Sequence, residues 1–518
     1  MKPLPVPPAE KTAAAQPSPA TQEAPQREPS ARRTSPSRTS SSPDPIDPTR
    51  TLARMLKSIK LLTLLLLGGL AGSASAQTPT WEAEFIGAWP AGWSGNAVVT
   101  GYNDAGLVGG YVTLSLAHHA WYGEPGAGLS LLPLPAGTDW SEVQSINSLG
   151  WLGGMGRVGG VWRALLWTPD PSGYQVQLLP AAANGWLPAS VTAMNDHGDL
   201  VGRYGPVSRP YHWTAATGTV GLPYPAWPHV PVAINNERQV ITDTLRMDLD
   251  TLVIENLGNP TGLGYSFQFT ELGRLNDAGD VAGVGITASS SNNVLPVSHT
   301  DLGGWRAWST IPMQTGGVSG LASSGDLIYR LNVGGLESSW LHVDGVGSLA
   351  LGSIVDPGST AVSVAAIIPS LTRGGRLLAH GTEAASGQFG LALLHPAGFD
   401  DLGGASAGSL GTPILGAFGD RTAGSPTRLR LSSASKGSVA FLCWSTAAAP
   451  LPLFGGVLHP APPVGMVPVP VDPSGRVDLT VPWPALPGGV PVVLQAGVVD
   501  PAAVGGVALS NALLGPTQ

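Results

Sequence analysis

The sequence has very little cysteine, little charge and no long apolar run. A single cysteine among 518 residues excludes an intramolecular disulfide, so packing and hydrogen bonds must hold the fold. With 26 basic and 34 acidic residues, the chain has no positive field that would attract nucleic acid. The leucine-rich apolar run at residues 61–71 is far shorter than the roughly 20 residues that cross a bilayer as a helix. We therefore expect no nucleic-acid partner and no integral membrane span.

Turn-forming residues are abundant instead. The chain contains 70 glycines and 49 prolines, yet 43% of its residues are hydrophobic. That combination excludes a charge-rich disordered chain and a long helical bundle, and no collagen period is present. It favours an all-β protein with many short strands joined by turns.

The N-terminal region divides into two zones. Residues 1–54 are rich in proline, serine and arginine and contain no aromatic residue, so we expect them to be disordered. In residues 55–76, Lys57 and Lys60 precede the short apolar run, and small residues up to Ala76 form a cleavage site. This pattern predicts a signal peptide and a protein that is secreted or at the cell surface after cleavage near Ala76. Two alternatives remain for residues 1–54: Met55 is the true start, or a long N-terminal region precedes the signal.

A repeat with a period of about 45 residues runs through residues 100–403. Each copy has Asn or a substitute at its first position, Gly three residues later except at Arg238, and Val or Leu five residues later. The seven copies start at Asn103, Asn147, Asn195, Asn235, Asn276, Ala322 and Thr372. This is the pattern of a type I turn, because the amide bonds to the nearby backbone and glycine accepts a left-handed conformation. Each copy therefore predicts the tip of a β-hairpin.

Further strand signals follow the turns at regular distances. In four copies a tryptophan lies 18 to 20 residues after the first position, at Trp121, Trp167, Trp213 and Trp340, and another apolar stretch closes the unit. Three to four short strands in each period are typical of a propeller blade, which buries its faces against neighbouring blades. We predict that residues 77–404 form a β-propeller of seven blades. Because three copies depart from the pattern, six or eight blades remain as alternatives.

The repeat unit, Asn-x-x-Gly-x-Val/Leu-x-Gly followed by a strand that ends in an aromatic residue, resembles the extracellular HAF-repeat family. The triplet that names the family occurs as His119-Ala120-Trp121, and looser versions end at Trp167, Trp213 and Trp308. The resemblance covers residues 100–403 and implies a secreted, β-propeller-like protein. It implies no catalytic residue, since no reaction is assigned to the family.

The last part of the chain lacks the repeat. Residues 405–411 are mostly small and predict a linker, whereas residues 412–518 alternate apolar runs with Pro and Gly turns and show no helical period. The apolar runs are residues 427–431, 438–444, 467–471, 476–481, 490–499 and 507–509. They predict a small C-terminal β-sandwich, with Cys443 buried in one of its strands.

Three short motifs suggest chemistry, and each has a simpler interpretation. Residues 404–408 match the nucleophile elbow G-x-S-x-G around Ser406, but that elbow needs a strand before the serine and a helix after it, so we interpret the segment as linker. The oxygen donors in residues 195–199 and 276–280 are too few for calcium and are interpreted as hairpin turns. His118 and His119 are adjacent on a strand and face opposite sides, so they cannot share a metal ion. We predict no metal and no cofactor.

Two carboxylate pairs, Asp248 with Asp250 and Asp400 with Asp401, come nearest to an acid–base apparatus. Asp248 and Asp250 would share one strand face but lie closer together than glycosidase carboxylates, and we interpret both pairs as solvated loop charges. Several tryptophans outside the regular strand position could pack between blades or stack on sugar rings: Trp89, Trp93, Trp140, Trp151, Trp186 and Trp227. No catalytic residue is predicted.

These observations favour an exported, non-enzymatic β-propeller that acts in extracellular or cell-surface recognition or structure, with an extracellular protein or a carbohydrate as partner. The alternative is an extracellular polysaccharide-active enzyme whose site is assembled at the loop face of the propeller, where residues distant in sequence meet. A third alternative is a propeller that only spaces another part from the surface. Residues 245–270 and 288–293 interrupt the repeat most and are the expected functional insertions.

Overall fold

The computed structural model describes residues 80–205, 209–224, 230–242, 244–260, 263, 267–287, 294–308, 315–333, 336–355, 361–462 and 464–518. The predicted disordered zone, the predicted signal peptide and residues 288–293 lie outside these ranges. The regular structure within them consists of β-strands and two short 3₁₀ turns, Leu351–Ser353 and Val504–Gly506. Within the same ranges, no helix has the length and apolarity that crossing a membrane requires.

Seven four-stranded antiparallel sheets lie in the described residues up to Pro396, and we number them 1 to 7 in chain order. The first strand, β1 (Trp81–Ala88), precedes sheet 1. Sheets 1 to 3 contain β2 (Ala97–Tyr102), β3 (Val108–Leu114), β4 (Ala117–Glu124) and β5 (Gly128–Leu131); β6 (Thr138–Ile146), β7 (Leu152–Val158), β8 (Val161–Asp170) and β9 (Gly173–Leu178); β10 (Pro188–Met194), β11 (Leu200–Tyr204), β12 (Pro210–Thr214) and β13 (Gly218–Gly221). Sheets 4 and 5 contain β14 (Ala233–Ile234), β15 (Gln239–Thr242), β16 (Leu245–Asp248) and β17 (Ile254–Asn256); β18 (Phe267–Leu275), β19 (Val281–Thr287), β20 (Val294–Thr300) and β21 (Gly304–Ala307). Sheet 6 contains β22 (Thr315–Leu321), β23 (Leu327–Val333), β24 (Leu336–Val343) and β25 (Gly347–Ala350), and sheet 7 contains β26 (Val362–Leu371), β27 (Leu377–Glu383) and β28 (Phe389–Pro396).

Sheet 7 takes its fourth strand from the beginning of the described chain. β1 pairs antiparallel with β28, from Trp81 opposite Pro396 to Ala88 opposite Gly390. The strand order of this sheet is therefore β1-β28-β27-β26. This ladder joins residues that lie on either side of all seven repeat copies.

Each sheet shares a hydrophobic cluster with the next one. Representative buried pairs, from sheets 1 and 2 onwards, are Ala120 with Leu165, Leu166 with Val191, Val201 with Met247, Ile241 with Val281, Ala282 with Tyr329, Ile328 with Leu377, and Leu378 with Val108. The last of these pairs joins sheet 7 back to sheet 1, so the sheets follow one another around a closed ring. The predicted all-β propeller is thus confirmed. Seven blades stay a prediction, which the one four-stranded sheet for each repeat copy supports.

Every repeat copy forms the turn that connects the inner strand of its sheet to the next strand in the chain, such as β2 to β3 in sheet 1 and β26 to β27 in sheet 7. In the first copy, the N–H of Gly106 donates to the carbonyl of Asn103 at 3.1 Å. The glycines at this position have φ between 78° and 90°, and Arg238 adopts φ 59° in its place. The predicted hairpin tips are therefore confirmed, and sheet 4 keeps the left-handed turn although it lacks the glycine.

The two ends of the propeller carry different turns. We call β2, β6, β10, β14, β18, β22 and β26 the inner strands, because they precede the repeat turns and each contacts the next, from β2 with β6 to β22 with β26, around the central channel. The turn end of the propeller carries the repeat turns. The open end carries the connections between second and third strands, such as Ser115 and Leu116 in sheet 1.

The C-terminal region folds around a core of its own. Its strands are β29 (Asp400–Gly403), β30 (Ile414–Gly419), β31 (Pro426–Ser432), β32 (Val439–Ser445), β33 (Ala448–Leu453), β34 (Gly456–Pro460), β35 (Gly465–Pro470), β36 (Val477–Pro482), β37 (Pro491–Val499), β38 (Val507–Leu509) and β39 (Ala512–Pro516). One sheet has the order β29-β39-β37-β32-β35 with β38 beside β37, and another is β30-β31-β36. Leu429 and Leu431 of the smaller sheet share a core with Val492 and Leu494 of the larger one. This shared core supports the predicted sandwich, which stays a prediction.

All six apolar runs predicted as strands in this region are strands. The strand Asp400–Gly403 lies within the range predicted for the propeller, yet it pairs with β39 of the C-terminal sheet. Ser406 in the predicted linker also bonds to this sheet, because its N–H donates to the carbonyl of Leu509 at 2.9 Å. We call residues 400–518 the C-terminal domain.

Candidate functional site

A belt of side-chain amides runs around the turn end. The Nδ2 of Asn103 donates to the main-chain carbonyl of Asn147, and the Nδ2 of Asn147 donates to that of Asn195, both at 2.9 Å. The series continues through Asn195, Asn235 and Asn276 to the carbonyl of Ala322, at 3.0 to 3.1 Å. Each Oδ1 meanwhile accepts a main-chain N–H in its own turn, such as that of Trp151 at 2.9 Å. One asparagine therefore shapes its own turn and joins it to the next sheet.

The residue after each asparagine forms a second set of links. The N–H of Ser148 donates to Asp196 Oδ1 at 2.8 Å, and the N–H of Asp196 donates to Asn236 Oδ1 at 2.8 Å. The N–H of Asn236 donates to Asp277 Oδ1 at 3.0 Å. Sheets 2 to 5 are thus joined twice at each step. Asp196 and Asp277 belong to the two segments that were compared with calcium sites. Their carboxylate oxygens accept hydrogen bonds from the protein itself.

Charged groups replace the amides where the repeat departs from its pattern. The N–H of Gly374 donates to both carboxylate oxygens of Asp104, at 2.9 and 3.0 Å, and so joins sheet 7 to sheet 1. The guanidinium of Arg373 crosses the mouth of the channel to Asp196, at 2.7 Å, and lies 3.8 Å from Asp277. An ion pair therefore links sheets 3, 5 and 7 across the ring.

Two carboxyl groups at this mouth have opposite pKa shifts. Burial raises the pKa of Asp104 above its ordinary value, and its hydrogen bonds and the nearby arginines only partly oppose that effect. Burial acts on Asp196 in the same direction, but Arg373, the N–H of Ser148 and the amide of Asn236 together hold the pKa of Asp196 below its ordinary value. Burial lowers the pKa of Arg373, but the surrounding carboxylates raise it by more. The pKa of Arg373 is therefore above its ordinary value.

The C-terminal domain docks on the turns of sheets 4 to 6 through basic side chains. Arg430 contacts both oxygens of Asp326, at 2.7 and 2.8 Å, and Arg476 contacts Asp280 at 2.5 Å. In two further contacts, Lys436 lies 2.7 Å from Glu237, and Asn236 Nδ2 donates to the carbonyl of Leu410 at 3.0 Å. Basic groups of the domain thus face acidic groups of the propeller, and the domain covers part of the turn end.

A cavity of about 860 Å³ lies between the turn end and the C-terminal domain. Asp104, Asp196 and Arg373 line it from the propeller, and Ile414 and Phe418 line it from the domain. This volume is within the range of small-molecule sites. Charged groups in its walls are paired with each other or with the main chain, Arg373 with Asp196, and Asp104 with the N–H of Gly374.

The two predicted carboxylate pairs lie apart: Asp248 holds the loop after β16, whereas the interpretation of Asp400 and Asp401 as loop charges is wrong, because they lie on a paired strand. Asp248 Oδ1 accepts the N–H groups of Asp250 and Thr251, at 3.0 and 2.8 Å, at the end of β16. Asp250 also pairs with Arg238 at 2.7 Å. Asp400 and Asp401 belong to β29, where Asp401 pairs with Arg376 and accepts from Asn511 Nδ2 at 3.2 Å.

The other short motifs also bond to the protein itself. In the predicted calcium-like turn of sheet 3, Asp199 contacts His212 Nε2 at 2.8 Å. Across the described ranges, His, Cys, Asp and Glu form no group of three that could hold a metal. The hydroxyl of Ser406 accepts the N–H of Leu509 at 2.9 Å, and Cys443 is buried in β32, where burial raises the pKa of its thiol to about 11. The thiol is therefore a packing group at ordinary pH.

Most of the irregular tryptophans pack between elements. Trp89 and Trp93 contact Trp121, with ring centroids 5.5 and 6.1 Å apart. Trp151 packs against the core of sheets 2 and 3. Trp186 lies edge-on to Tyr204, with 5.5 Å between the ring centroids. Trp227 lies outside the described residues.

An aromatic platform lies at the open end between sheets 1 and 2. The imidazole of His118 lies between the rings of Tyr111 and Trp140, with centroids 4.1 and 3.7 Å away. Trp162 meets Trp140 edge-on at 6.2 Å and is 38% exposed. We call Tyr111, His118, Trp140 and Trp162 the aromatic platform.

Polar groups surround the aromatic platform. Glu142 Oε1 lies 2.5 Å from His118 Nδ1 and accepts from Trp140 Nε1 at 3.2 Å. Arg157 forms two bonds with Asp139, at 2.8 and 2.9 Å, and its guanidinium lies 6.0 Å from the ring of Trp162. A partly exposed aromatic surface therefore lies beside an imidazole, a guanidinium and two carboxylates. Sequence reasoning identified Trp140 as irregular but missed the platform, because its members come from different strands of two sheets.

The comparisons with known proteins leave the chain without a family. No protein-family model and no curated protein matches the sequence. Solved structures with a similar fold include virginiamycin B lyase from Staphylococcus aureus, with 12% identity, a TM-score of 0.37 and coverage of 61% of this chain and 99% of that one. The β-propeller domain of Cps50 (Swd1) from Myceliophteria thermophila has 11% identity, a TM-score of 0.32 and coverage of 61% and 97%. Such similarities carry no argument about function, and the closed ring of sheets itself defines the chain as a β-propeller protein with a C-terminal β domain.

Proposed function

We propose that the protein is an exported, non-enzymatic β-propeller that recognises carbohydrate outside the cell through its aromatic platform. The observation that carries this proposal is the exposed ring of Trp162, which adjoins Trp140 and His118 on the end of the propeller opposite the docked C-terminal domain. Aromatic rings offer a large, rigid contact area to the apolar face of a sugar ring, and a few polar groups beside them fix its orientation.

The polar groups of the platform suit orientation better than catalysis. Glycoside hydrolysis needs two carboxyl groups in different protonation states. Glu142 is engaged by His118 and Trp140, and Asp139 is held by two bonds from Arg157. Sugar hydroxyls can bond to the remaining edges of these groups without any proton transfer.

Export is supported by the signal-peptide pattern of residues 55–76 and by the resemblance of the repeat to extracellular HAF repeats. N-terminal sequencing of the native protein tests it. We expect the mature chain to start near Gln77, and a mature chain that still contains residues before Met55 would contradict the proposal of export with cleavage.

Binding to a panel of neutral and acidic polysaccharides, measured by affinity electrophoresis and calorimetry, tests recognition. We expect at least one glycan to bind the wild type and Trp162→Ala to weaken that binding about tenfold, the loss that corresponds to about 1.4 kcal/mol. Leu302→Ala is the matched control, because Leu302 is an 83% exposed apolar residue at the turn end. Absence of binding, or an equal loss in both variants, would overturn the proposal.

The second candidate is a polysaccharide-active enzyme, and the opposite pKa shifts of Asp104 and Asp196 in one cavity favour it. Reducing-end release from the same panel distinguishes the two functions. We expect no turnover. Turnover that is lost in Asp196→Asn and kept in Trp162→Ala would establish the enzyme instead.

A further inference from the structure

The inner strands carry a β-bulge at the same place. In five sheets, one residue of the inner strand has no partner in the second strand. This skipped residue lies three positions before the first residue of the repeat turn. The skipped residues are Thr100, Gln144, Thr192, Gly273 and Ser319. A bulge re-aims the side chain of its extra residue. These positions therefore form a ring at one depth of the central channel.

Hydroxyl groups in this ring link neighbouring sheets. Thr100 Oγ1 donates to the carbonyl of Val143 at 2.5 Å, and Thr192 Oγ1 donates to the carbonyl of Pro231 at 2.6 Å. Sheet 5 has no side chain at its bulge, because Gly273 occupies it. The next residue, Arg274, takes over the link, and its Nε donates to the carbonyl of Ser319 at 2.9 Å.

The guanidinium of Arg274 lies in the channel with donors to spare. Its Nη1 donates to the carbonyl of Gly273 at 2.7 Å. Three of its five N–H groups have no acceptor among the side chains and main chain that the structure describes, and no carboxylate whose side chain is described (Glu271 is not among them) pairs with it.

The surroundings favour an anion at this point. The side chain of Arg274 is exposed, but protein atoms around its guanidinium desolvate it, and this desolvation, with the positive charge of Arg330, lowers its pKa. Ser319 Oγ, beside it, is a buried hydroxyl without a hydrogen-bond partner in the described part of the chain. An enclosed cation without a counter-charge is costly, and a bound anion removes that cost.

The channel is accessible from the open end. Val98 of β2 and Ala365 of β26, which lie towards the open end from the bulge ring, are exposed, and so is Thr100 in the ring itself. Towards the turn end, Met194 and Leu321, the last residues of their inner strands, are buried. The channel is therefore a well that is open at one end and narrows towards the repeat turns.

We propose that the central channel binds a small oxyanion, with the guanidinium of Arg274 as its charge partner and the hydroxyl of Ser319 as a further donor. A planar carboxylate fits the two parallel N–H groups of a guanidinium, and sulfate or phosphate can use the same donors. This site is separate from the aromatic platform, so it does not depend on carbohydrate recognition there.

Calorimetric titration of the full chain at constant ionic strength tests this site, with acetate, glucuronate, sulfate and phosphate as separate probes. We expect saturable binding of at least one probe with one site per chain. Arg274→Gln should weaken it by about tenfold or more, because the charged bond is lost. Arg421→Gln, which removes the same charge in the C-terminal domain, should leave the binding unchanged.

Tighter binding of glucuronate than of acetate and the inorganic ions would identify the oxyanion as part of an acidic sugar, and the reverse order would identify a free inorganic ion.

Two further variants keep the test decisive if Arg274→Gln does not fold. Ser319→Ala removes a hydroxyl that bonds to no described residue, so we expect it to fold and to bind the probe several-fold more weakly. Arg274→Lys keeps the charge but loses the planar fork, so its affinity should fall between wild type and Arg274→Gln. If no probe binds the wild type saturably, or if the folded variants bind it as well as wild type does, the proposal is wrong.

Discussion

The side-chain amide of Asn147 donates a hydrogen bond of 2.9 Å to the main-chain carbonyl of Asn195, the equivalent residue of the next sheet. The same amide accepts the N–H of Trp151 within its own turn, at 2.9 Å. Aspartate lacks the donor and serine lacks the reach to do both at once. The asparagine that defines the repeat in sequence is thus also the group that holds successive sheets in register at the turn end.

Replacing Asn147 tests this belt. Asn147 is 2% exposed, and Asn147→Ala leaves the N–H of Trp151 without its acceptor and removes one of two donors from the carbonyl of Asn195, which keeps the N–H of Gly198 at 3.3 Å. We expect the free energy of unfolding to fall by about 2 kcal/mol, within the usual range for an unsatisfied buried group. Urea unfolding followed by tryptophan fluorescence measures it. Asn147→Asp keeps the acceptor but loses the donor, so its deficit should shrink in acid, where the protonated carboxyl can donate.

Asn184→Ala is the matched control. Asn184 is exposed, and its Oδ1 accepts only the N–H of Trp186 in its own loop, at 3.0 Å. We expect the free energy of unfolding to change by less than about 0.5 kcal/mol. Equal losses in Asn147→Ala and Asn184→Ala would contradict a special role of the belt.

The opposite pKa shifts at the channel mouth predict opposite dependences of stability on pH. The folded state raises the pKa of Asp104, so its contribution to stability is present below the unfolded pKa and is lost as the pH rises through the folded value. The folded state lowers the pKa of Asp196, so its contribution is present above the unfolded pKa and is lost as the pH falls through the folded value.

Two neutral variants separate these effects. Relative to wild type, Asp104→Asn should gain thermal stability as the pH rises from 4 towards neutrality, because the wild type then carries a buried charge. Asp196→Asn should lose stability near neutral pH, since Arg373 loses its partner at 2.7 Å and keeps only the longer contact with Asp277 at 3.8 Å among the described ion pairs, and its deficit should diminish in acid. Melting temperatures across this pH range provide the measurement, and shifts of the same sign in both variants would refute the assignment.

The sequence predicted the parts of the fold that depend on local patterns. Asn103 and Gly106, three residues apart, were enough to predict a turn, and alternating apolar runs were enough to predict six strands of the C-terminal domain. The closing strand β1 was not predicted as part of sheet 7, because Trp81 and Pro396 pair across the whole repeat region and nothing near Trp81 indicates a partner.

The candidate sites were largely beyond sequence reasoning for the same reason. Trp140 was recognisable as irregular, but its contact with His118 depends on how sheets 1 and 2 pack. Arg274 has no motif around it, and its position in the channel follows from the bulge at Gly273. Sequence periodicity predicts where the strands lie. Which side chains meet at the two ends of the propeller and in its channel depends on how the sheets pack into the closed ring.

The ion pair between Arg430 and Asp326 predicts how strongly the C-terminal domain is attached. The side chains are 7% and 8% exposed, and Arg430 also donates to the carbonyl of Ser324 at 2.7 Å. Arg430→Ala leaves a buried carboxylate unpaired, so we expect a loss of about 3 to 5 kcal/mol in stability. Faster proteolysis within residues 405–411 should accompany the loss if the domain detaches.

An exposed ion pair provides the control for that experiment. Glu337 lies 3.5 Å from Arg330, and both side chains are at least half exposed. Glu337→Ala should therefore cost less than about 1 kcal/mol. The double variant Arg430→Met with Asp326→Leu should recover much of the stability lost in Arg430→Ala, because it leaves no unpaired buried charge. A double variant as unstable as the single one would argue against the ion pair as the cause.

The second glycine of the repeat has a physical explanation in the bulged inner strands. A Cβ at Gly154 would lie 1.9 Å from the carbonyl oxygen of Glu142, which is main chain and cannot move aside. Equivalent contacts would occur at Gly110 with Val98, at 1.8 Å, and at Gly202 with Ser190, at 2.0 Å. In these three sheets the carbonyl lies so close to the second strand that a side chain does not fit there, whereas sheet 6 has Tyr329 at the equivalent position opposite its bulge.

Gly154→Ala is therefore expected to lower the free energy of unfolding by about 3 kcal/mol or more, since the backbone of β6 or β7 must shift. The control is Gly221→Ala in β13, where an added Cβ meets no atom within 4 Å, and there the change should be within about 0.5 kcal/mol. Thermal denaturation of the two variants under one condition compares them. Similar melting temperatures would mean that the inner strand can straighten its bulge, and the ring of side chains in the channel, including Arg274, would then lose its geometric basis.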